Sequence, residues 1–101
     1  MDAWQVIYTE NAYDDLEAIQ EYITWKLRAP EAAQGQADRI EAAINDLSDF
    51  PMRHPVYPHE PWHSGGVRYR VVDHYLVFYH TDEALRRVIV LRIMYHRRIK
   101  P

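Results

Sequence analysis

Three β-rich runs in the last third of the chain constrain its fold more than any other feature. Residues 67–72 (VRYRVV), 75–81 (YLVFYHT) and 88–95 (VIVLRIMY) are dense in Val, Ile, Leu, Tyr and Phe, side chains that suit a pleated, half-buried surface. Asp73-His74 separates the first two runs, and Asp82-Glu83-Ala84-Leu85 separates the second from the third. Both connections are short and polar enough to be hairpin turns, so the runs read as a three-stranded antiparallel meander. The last run ends in Tyr95-His96-Arg97-Arg98. No core could absorb that combination of a phenol, an imidazole and two guanidiniums.

The residues ahead of the meander supply what must cover it. Residues 4–9 alternate and are β-prone, which predicts a short N-terminal strand. Thr9 is a good N-cap, because its hydroxyl can accept a free amide of a first helical turn. The first helix is predicted over 10–27, with Ala12, Leu16, Ile19, Ile23 and Leu27 as one apolar stripe. Asp14, Asp15, Glu17 and Glu21 lie largely off that stripe. Ala29-Pro30 breaks the helix, since a residue before proline avoids the α region. Pro30 then suits the first position of a second helix, predicted over 30–49 with the stripe Ala33, Ala37, Ile40, Ile44 and Leu47. Both helices are one-sided, and the partner each needs is a face of the sheet. The expected fold is α+β: an N-terminal strand, a helical hairpin, then the antiparallel meander, with the helices on one sheet face. At 101 residues the chain is read as a single domain, 1–101.

Cysteine is absent, which removes disulfides and thiolate chemistry. With no signal peptide and no apolar run long enough to span a bilayer, the expectation is a cytoplasmic protein with no membrane partner. The net charge of −3 conceals an asymmetry. Residues 1–50 carry 3 Lys and Arg against 11 Asp and Glu, a net −8, whereas residues 51–101 carry 9 against 4, a net +5. Solvated helix faces account for the acidic half. A basic second half can meet phosphates or an acidic partner.

Function is expected where the loop 51–66 meets the first long strand. Pro51, Pro55, Pro58 and Pro61 stiffen the loop and deny it ladder hydrogen bonds. Its His54, His59 and His63 have neither helical nor zinc-finger spacing, so no metal is expected. Glu60, held between His59 and Pro61, is a candidate general base. Arg68 and Arg70 share one strand face, with Tyr69 opposite. If Val67, Tyr69 and Val71 face the helices, both guanidiniums reach an open face suited to phosphate or nucleic acid. At the far end His96 can exchange protons near neutral pH. Arg97 or Arg98 can hold charge on a phosphate, and Tyr95 can stack on a base. These are the parts of a metal-free ribonuclease; the other reading is a basic tail that docks on a partner.

The pattern resembles the RelE/ParE superfamily of bacterial toxins over nearly the whole chain. The opening YTENAYDDLEAIQEYI resembles the family's "T-x-x-A-x-x-D-L-x-x-I-x-x-Y-I", LSDFPMRHP follows the second helix, and VVDHYLVFYHTDE is followed by VIVLRIMYHRR. The resemblance implies a type II toxin that pairs with a cognate antitoxin, without a cofactor. It also implies one of two activities. The RelE and YoeB branch consists of metal-free, ribosome-dependent mRNA endonucleases, whereas the ParE branch poisons DNA gyrase and is not known as a nuclease. Glu60-Pro61 is similar to the Glu-Pro that supplies the YoeB base. Tyr95-His96 is similar to its C-terminal Tyr-His, and Arg98 falls near a catalytic arginine of RelE. The expectation is therefore an mRNA endoribonuclease acting with the ribosome through Glu60, His96, Arg97 and Arg98, with Arg68, Arg70 and Tyr95 binding RNA. The nucleases carry an arginine where this chain has Leu76, and RelE toxins are usually strongly basic. Gyrase inhibition, or a degenerate relative that only binds its antitoxin, is the alternative.

Overall fold

The computed structural model describes residues 3–96. The strand β1 (Gln5–Tyr8) leads into the helices α1 (Glu10–Glu21) and α2 (Pro30–Asn45), followed by β2 (Arg68–Val72), β3 (Tyr75–Asp82) and β4 (Arg87–Tyr95). The sheet order is β1-β4-β3-β2. The last three strands form the expected antiparallel meander, and β1 adds parallel to β4 with Gln5 opposite Arg87. A parallel neighbour needs a long crossover, and here the entire helical hairpin plus β2 and β3 lie between the two strands.

The hairpin packs on one sheet face as its stripes demand. Ala12, Leu16, Ala37, Ile40 and Ile44 bury against Val72, Tyr75, Val77, Val90 and Ile93. The first stripe fails at one position. A π-helical segment, Tyr22–Lys26, follows α1, and the Leu27 amide donates to the Tyr22 carbonyl at 3.2 Å. The wider turn breaks the four-residue spacing from Ile23 to Leu27. Ile23 stays buried, while Leu27 is 57% exposed and Trp25 77% exposed. The second stripe is buried throughout, and Leu47, on a 3₁₀ turn (Asp46–Ser48), closes the core with Trp4, Tyr79 and Val88.

One irregularity organises the central strands. The β3–β4 register pairs Phe78 with Arg92 and Tyr79 with Val90, so Leu91 is an extra residue forming a bulge. Side chains near the start of α1 satisfy the backbone groups there. The Thr9 hydroxyl lies 2.9 Å from the Val90 carbonyl and 3.0 Å from that of Leu91, and it accepts the Ala12 amide at 3.2 Å. Asp15 accepts the Ile93 amide at 2.9 Å and grips the Arg92 guanidinium at 2.7 and 3.0 Å. Thr9 is thus the expected helix cap and also the anchor of the helix on the bulge.

The arginine strand faces the opposite way from the sequence expectation. Val72 points into the helix-side core, so Arg68 and Arg70, four and two residues earlier on β2, share that side. The Arg70 Nη1 donates to the Ala43 carbonyl at 3.0 Å and to Asp46 at 2.9 Å. Arg68 Nη1 donates to the carbonyls of His54 at 2.6 Å and Met52 at 3.1 Å. The reason is complementary. The C-terminal carbonyls of α2 need a donor, and a cation suits that end of the helix dipole. The opposite face instead takes Tyr69, Leu76 and Phe78, and it is not open: Tyr57 and Trp62 of the loop cover it.

Thr9→Ala removes a cap and leaves a bulge carbonyl short of a donor, so it should cost about 2–3 kcal/mol, more than a cap alone. Ile44→Ala should cost about 2–5 kcal/mol through lost burial plus a cavity. Urea unfolding of both variants beside Thr9→Ser, which keeps the hydroxyl, would show whether the bulge anchor exists.

Candidate functional site

The loop-covered sheet face carries a cleft that His96 lines. Tyr57, Pro58 and His59 form one wall, and Tyr69, Val71, Leu76 and His96 form the floor and far wall, enclosing about 350 Å³. The loop holds this shape through aromatic contacts. Tyr57 meets Tyr69, Phe78 and His59 edge to face with centroids 5.0 to 5.4 Å apart, and Trp62 meets Phe78 at 4.1 Å. A single antiparallel bridge, Val56 to Arg68, fixes the loop to the edge of β2.

The predicted site residues divide among three places. His96 reaches the cleft, its amide held by the His74 carbonyl at 2.8 Å. Tyr95, one residue earlier, projects to the other sheet face, beside Tyr75 and His74 and into a hollow with Tyr22, Leu27 and Gln36. Glu60 sits on the outer turn of the loop. Its carboxylate accepts the Ser64 amide at 2.9 Å and the Ser64 hydroxyl at 2.6 Å, and these bonds hold its carboxyl below the usual carboxylate range. Arg68 and Arg70 belong to the helix side, as described above. Arg97 and Arg98 lie outside the described residues. Of the other cleft-lining residues, Tyr57 and Val71 were not singled out from the sequence, and His59 was weighed there only as a metal ligand. The clue to Val71 was available, because it lies directly across from Leu76 in the ladder.

Among the described residues no group of three His, Cys, Asp or Glu side chains is placed to hold a metal ion. No described helix is long and apolar enough to cross a membrane.

The model of the ParE toxin of the type II toxin-antitoxin system, parDE, matches residues 6–100. The chain belongs to this toxin family. Among solved structures, the ParE-family chain is similar to one from the chromosomal ParDE toxin–antitoxin system of P. aeruginosa. That match has a TM-score of 0.76 and 21% identity, over 94% of this chain and 98% of the other. It is also similar to a chain of the RelBE2 toxin–antitoxin complex of Mycobacterium tuberculosis, with a TM-score of 0.66 and 24% identity, over 94% and 93% of the two chains. At these identities the likeness establishes the shared fold. No curated protein matches the chain by sequence.

On the helix side of the toxin's sheet, a polar cluster ties loop to helix. Asp46 accepts from both Arg70 and Arg53, and the Arg70 bond chiefly holds its carboxyl low. Tyr79, fully buried, donates to the Pro51 carbonyl, and burial pushes its phenol up to about 12. His54 packs on the Tyr79 ring edge to face at 6.5 Å, and its Nε2 is buried without a hydrogen-bond partner among the described residues. Burial holds this imidazole below 6.5, and the neighbouring Arg70 and Arg53 act in the same direction. As pH falls below 6.5, the unfolded chain therefore takes up a proton that the folded chain refuses. Stability from this group is complete above 6.5 and is lost as pH falls through the lower folded value. Urea midpoints should decline between pH 7.5 and 5.5, and decline less in His54→Gln. Equal pH slopes for the two proteins would mean that His54 is not the group responsible.

Proposed function

We propose that this toxin acts as a ParE-like inhibitor of DNA gyrase by binding, without cleaving RNA. The observation that carries the reading is the state of Glu60. A general base works best with a pKa near the operating pH and a free lone pair aimed at its proton. Both Glu60 oxygens are engaged by Ser64, and the carboxyl is held low. The family match over residues 6–100 supports the same side of the superfamily. Leu76 agrees with it as well: where the nucleases place an arginine, this side chain is buried in the apolar layer beneath Tyr57 and Trp62. A cation there would need a partner that this layer does not offer.

The second reading, a metal-free ribosome-dependent mRNA endoribonuclease, draws on His96. Its imidazole lines a cleft with two tyrosines, an arrangement in which a proton donor stands beside rings that can stack on bases. In that reading His96 protonates the leaving oxygen, Arg97 or Arg98 holds the phosphate charge, and Glu60 exchanges Ser64 for the 2′-hydroxyl.

Induction without antitoxin, with transcript-end mapping and a gyrase cleavage assay on the same cells, separates the two. The expected outcome is intact transcripts together with accumulated double-strand breaks in DNA. New transcript ends inside translated codons, absent in Glu60→Gln and His96→Ala, would overturn it in favour of the nuclease.

A further inference from the structure

The turn that follows the second helix carries an unexpected residue. The chain leaves the 3₁₀ turn Asp46–Ser48 through Asp49, and Phe50 then stands in the left-handed region at φ 51° and ψ 59°. Glycine supplies that conformation without strain, and asparagine or aspartate tolerates it. A bulky side chain there is strained. Pro51 opposes it further, because a proline pushes the residue before it toward extended backbone. Burial does not compensate: Phe50 is 71% exposed and belongs to none of the core clusters of the described residues. Neither the backbone nor the core accounts for a phenylalanine at this position.

Phe50 forms one wall of a mainly apolar hollow of about 480 Å³, with Trp4, Asp49, Met52 and Arg86 around it. The Arg86 guanidinium lies over the Trp4 ring, 4.9 Å from its centroid, which sets a cation at the rim of an apolar floor. Leu85, the preceding residue on the turn between β3 and β4, is 58% exposed. The hollow sits where β4 begins, and the His96 cleft where it ends. β4 spans Arg87–Tyr95, so roughly 30 Å of strand separates the two. Exposed aromatic and arginine side chains around an apolar floor are the composition of a protein-binding hot spot. The charges argue against a nucleic acid. Asp49 lines the hollow, and Asp82 and Glu83 precede Arg86 on the same hairpin; these carboxylates repel a phosphate backbone.

We propose that this hollow is where the toxin grips the gyrase protein, with an apolar side chain of the enzyme seated against Phe50, Trp4 and Met52 and a neighbouring carboxylate on the Arg86 guanidinium. A guanidinium carries five donors and takes a carboxylate through two of them. The proposal rests on the gyrase reading above and adds to it the surface that meets the target. It assigns no part to the His96 cleft or to the rim of β2.

The test compares the wild-type toxin with Phe50→Gly and Phe50→Trp against purified gyrase. Glycine removes the ring and relieves the left-handed backbone together, so the urea midpoint of Phe50→Gly should hold or rise. Its binding to gyrase, read by interferometry, should weaken by about tenfold or more, and plasmid cleavage by gyrase should need correspondingly more of it. Phe50→Trp keeps an aromatic anchor and should bind within about threefold of wild type. Hydroxyl-radical footprinting of the wild-type toxin should show Phe50 and Met52 protected in the gyrase complex, a readout that stands even if Phe50→Gly does not fold. Equal poisoning by Phe50→Gly, or unchanged labelling of Phe50 in a gyrase-bound toxin, would overturn the proposal and leave the gyrase reading standing. A wild-type toxin that neither binds nor poisons gyrase would overturn both. Self-association of the wild type that Phe50→Gly abolishes, with poisoning unchanged, would overturn the choice of gyrase and give the hollow to a second copy of this chain.

Discussion

The bulge at Leu91 is the constraint on which the rest of the structure depends. An extra residue in a central strand leaves backbone groups without ladder partners, and buried backbone groups are costly when unpaired. Here the helix supplies the partners. Thr9 follows β1, caps α1 and donates to the bulge, while Asp15, further along α1, accepts from the strand just beyond it. A defect in one layer therefore becomes the attachment point of the other. The apolar stripe of α1 lands on β4 in one register because the bulge fixes where its first residue must sit.

A different solution operates at the C-terminal end of α2. The sheet there offers arginines to the helix instead of aliphatic side chains. Arg70 reaches the Ala43 carbonyl and Asp46, and Arg53 joins the same carboxylate. Asp46 and Arg53 are substantially exposed, and solvent screening makes such pairs worth little individually. Their effect is directional. They draw the start of the loop toward the helices and leave the rim of β2 beyond Tyr69 without a neighbouring strand among the described residues.

Elements that follow from periodicity and punctuation were legible in the sequence. The proline break, the Thr9 cap, the second stripe and the three strands of the meander are local signals, and each appears within a residue or two of its expected place. What was not legible depended on partners distant in the chain. Whether Arg70 or Tyr69 faces the helices cannot be read from alternation alone, because a strand covered on both faces is compatible with either choice. The answer lay with Ala43 and Asp46, more than twenty residues away. Leu27 was lost from the core to a π-helical turn that no spacing announced. Among the site residues, the structure brings His96 to the loop cleft, whereas Glu60, read from the sequence as a candidate general base, is engaged by Ser64, four residues on. Alternation puts Tyr95 and His96 on different faces of the sheet, but nothing in the sequence revealed which of the two would face the helices.

That last division follows from the bulge. Val88 and Val90 face the helices, and so do Ile93 and Tyr95, so the strand changes parity as it passes Leu91. The inserted residue thus acts as a frame for everything after it. A related chain that lost one residue at this point, with the rest of the strand unchanged, would turn its histidine toward the helices and its tyrosine toward the loop cleft. It would exchange the chemistry of the two faces without altering a single functional side chain. Diversity among such toxins can therefore arise from the length of a strand as readily as from its composition.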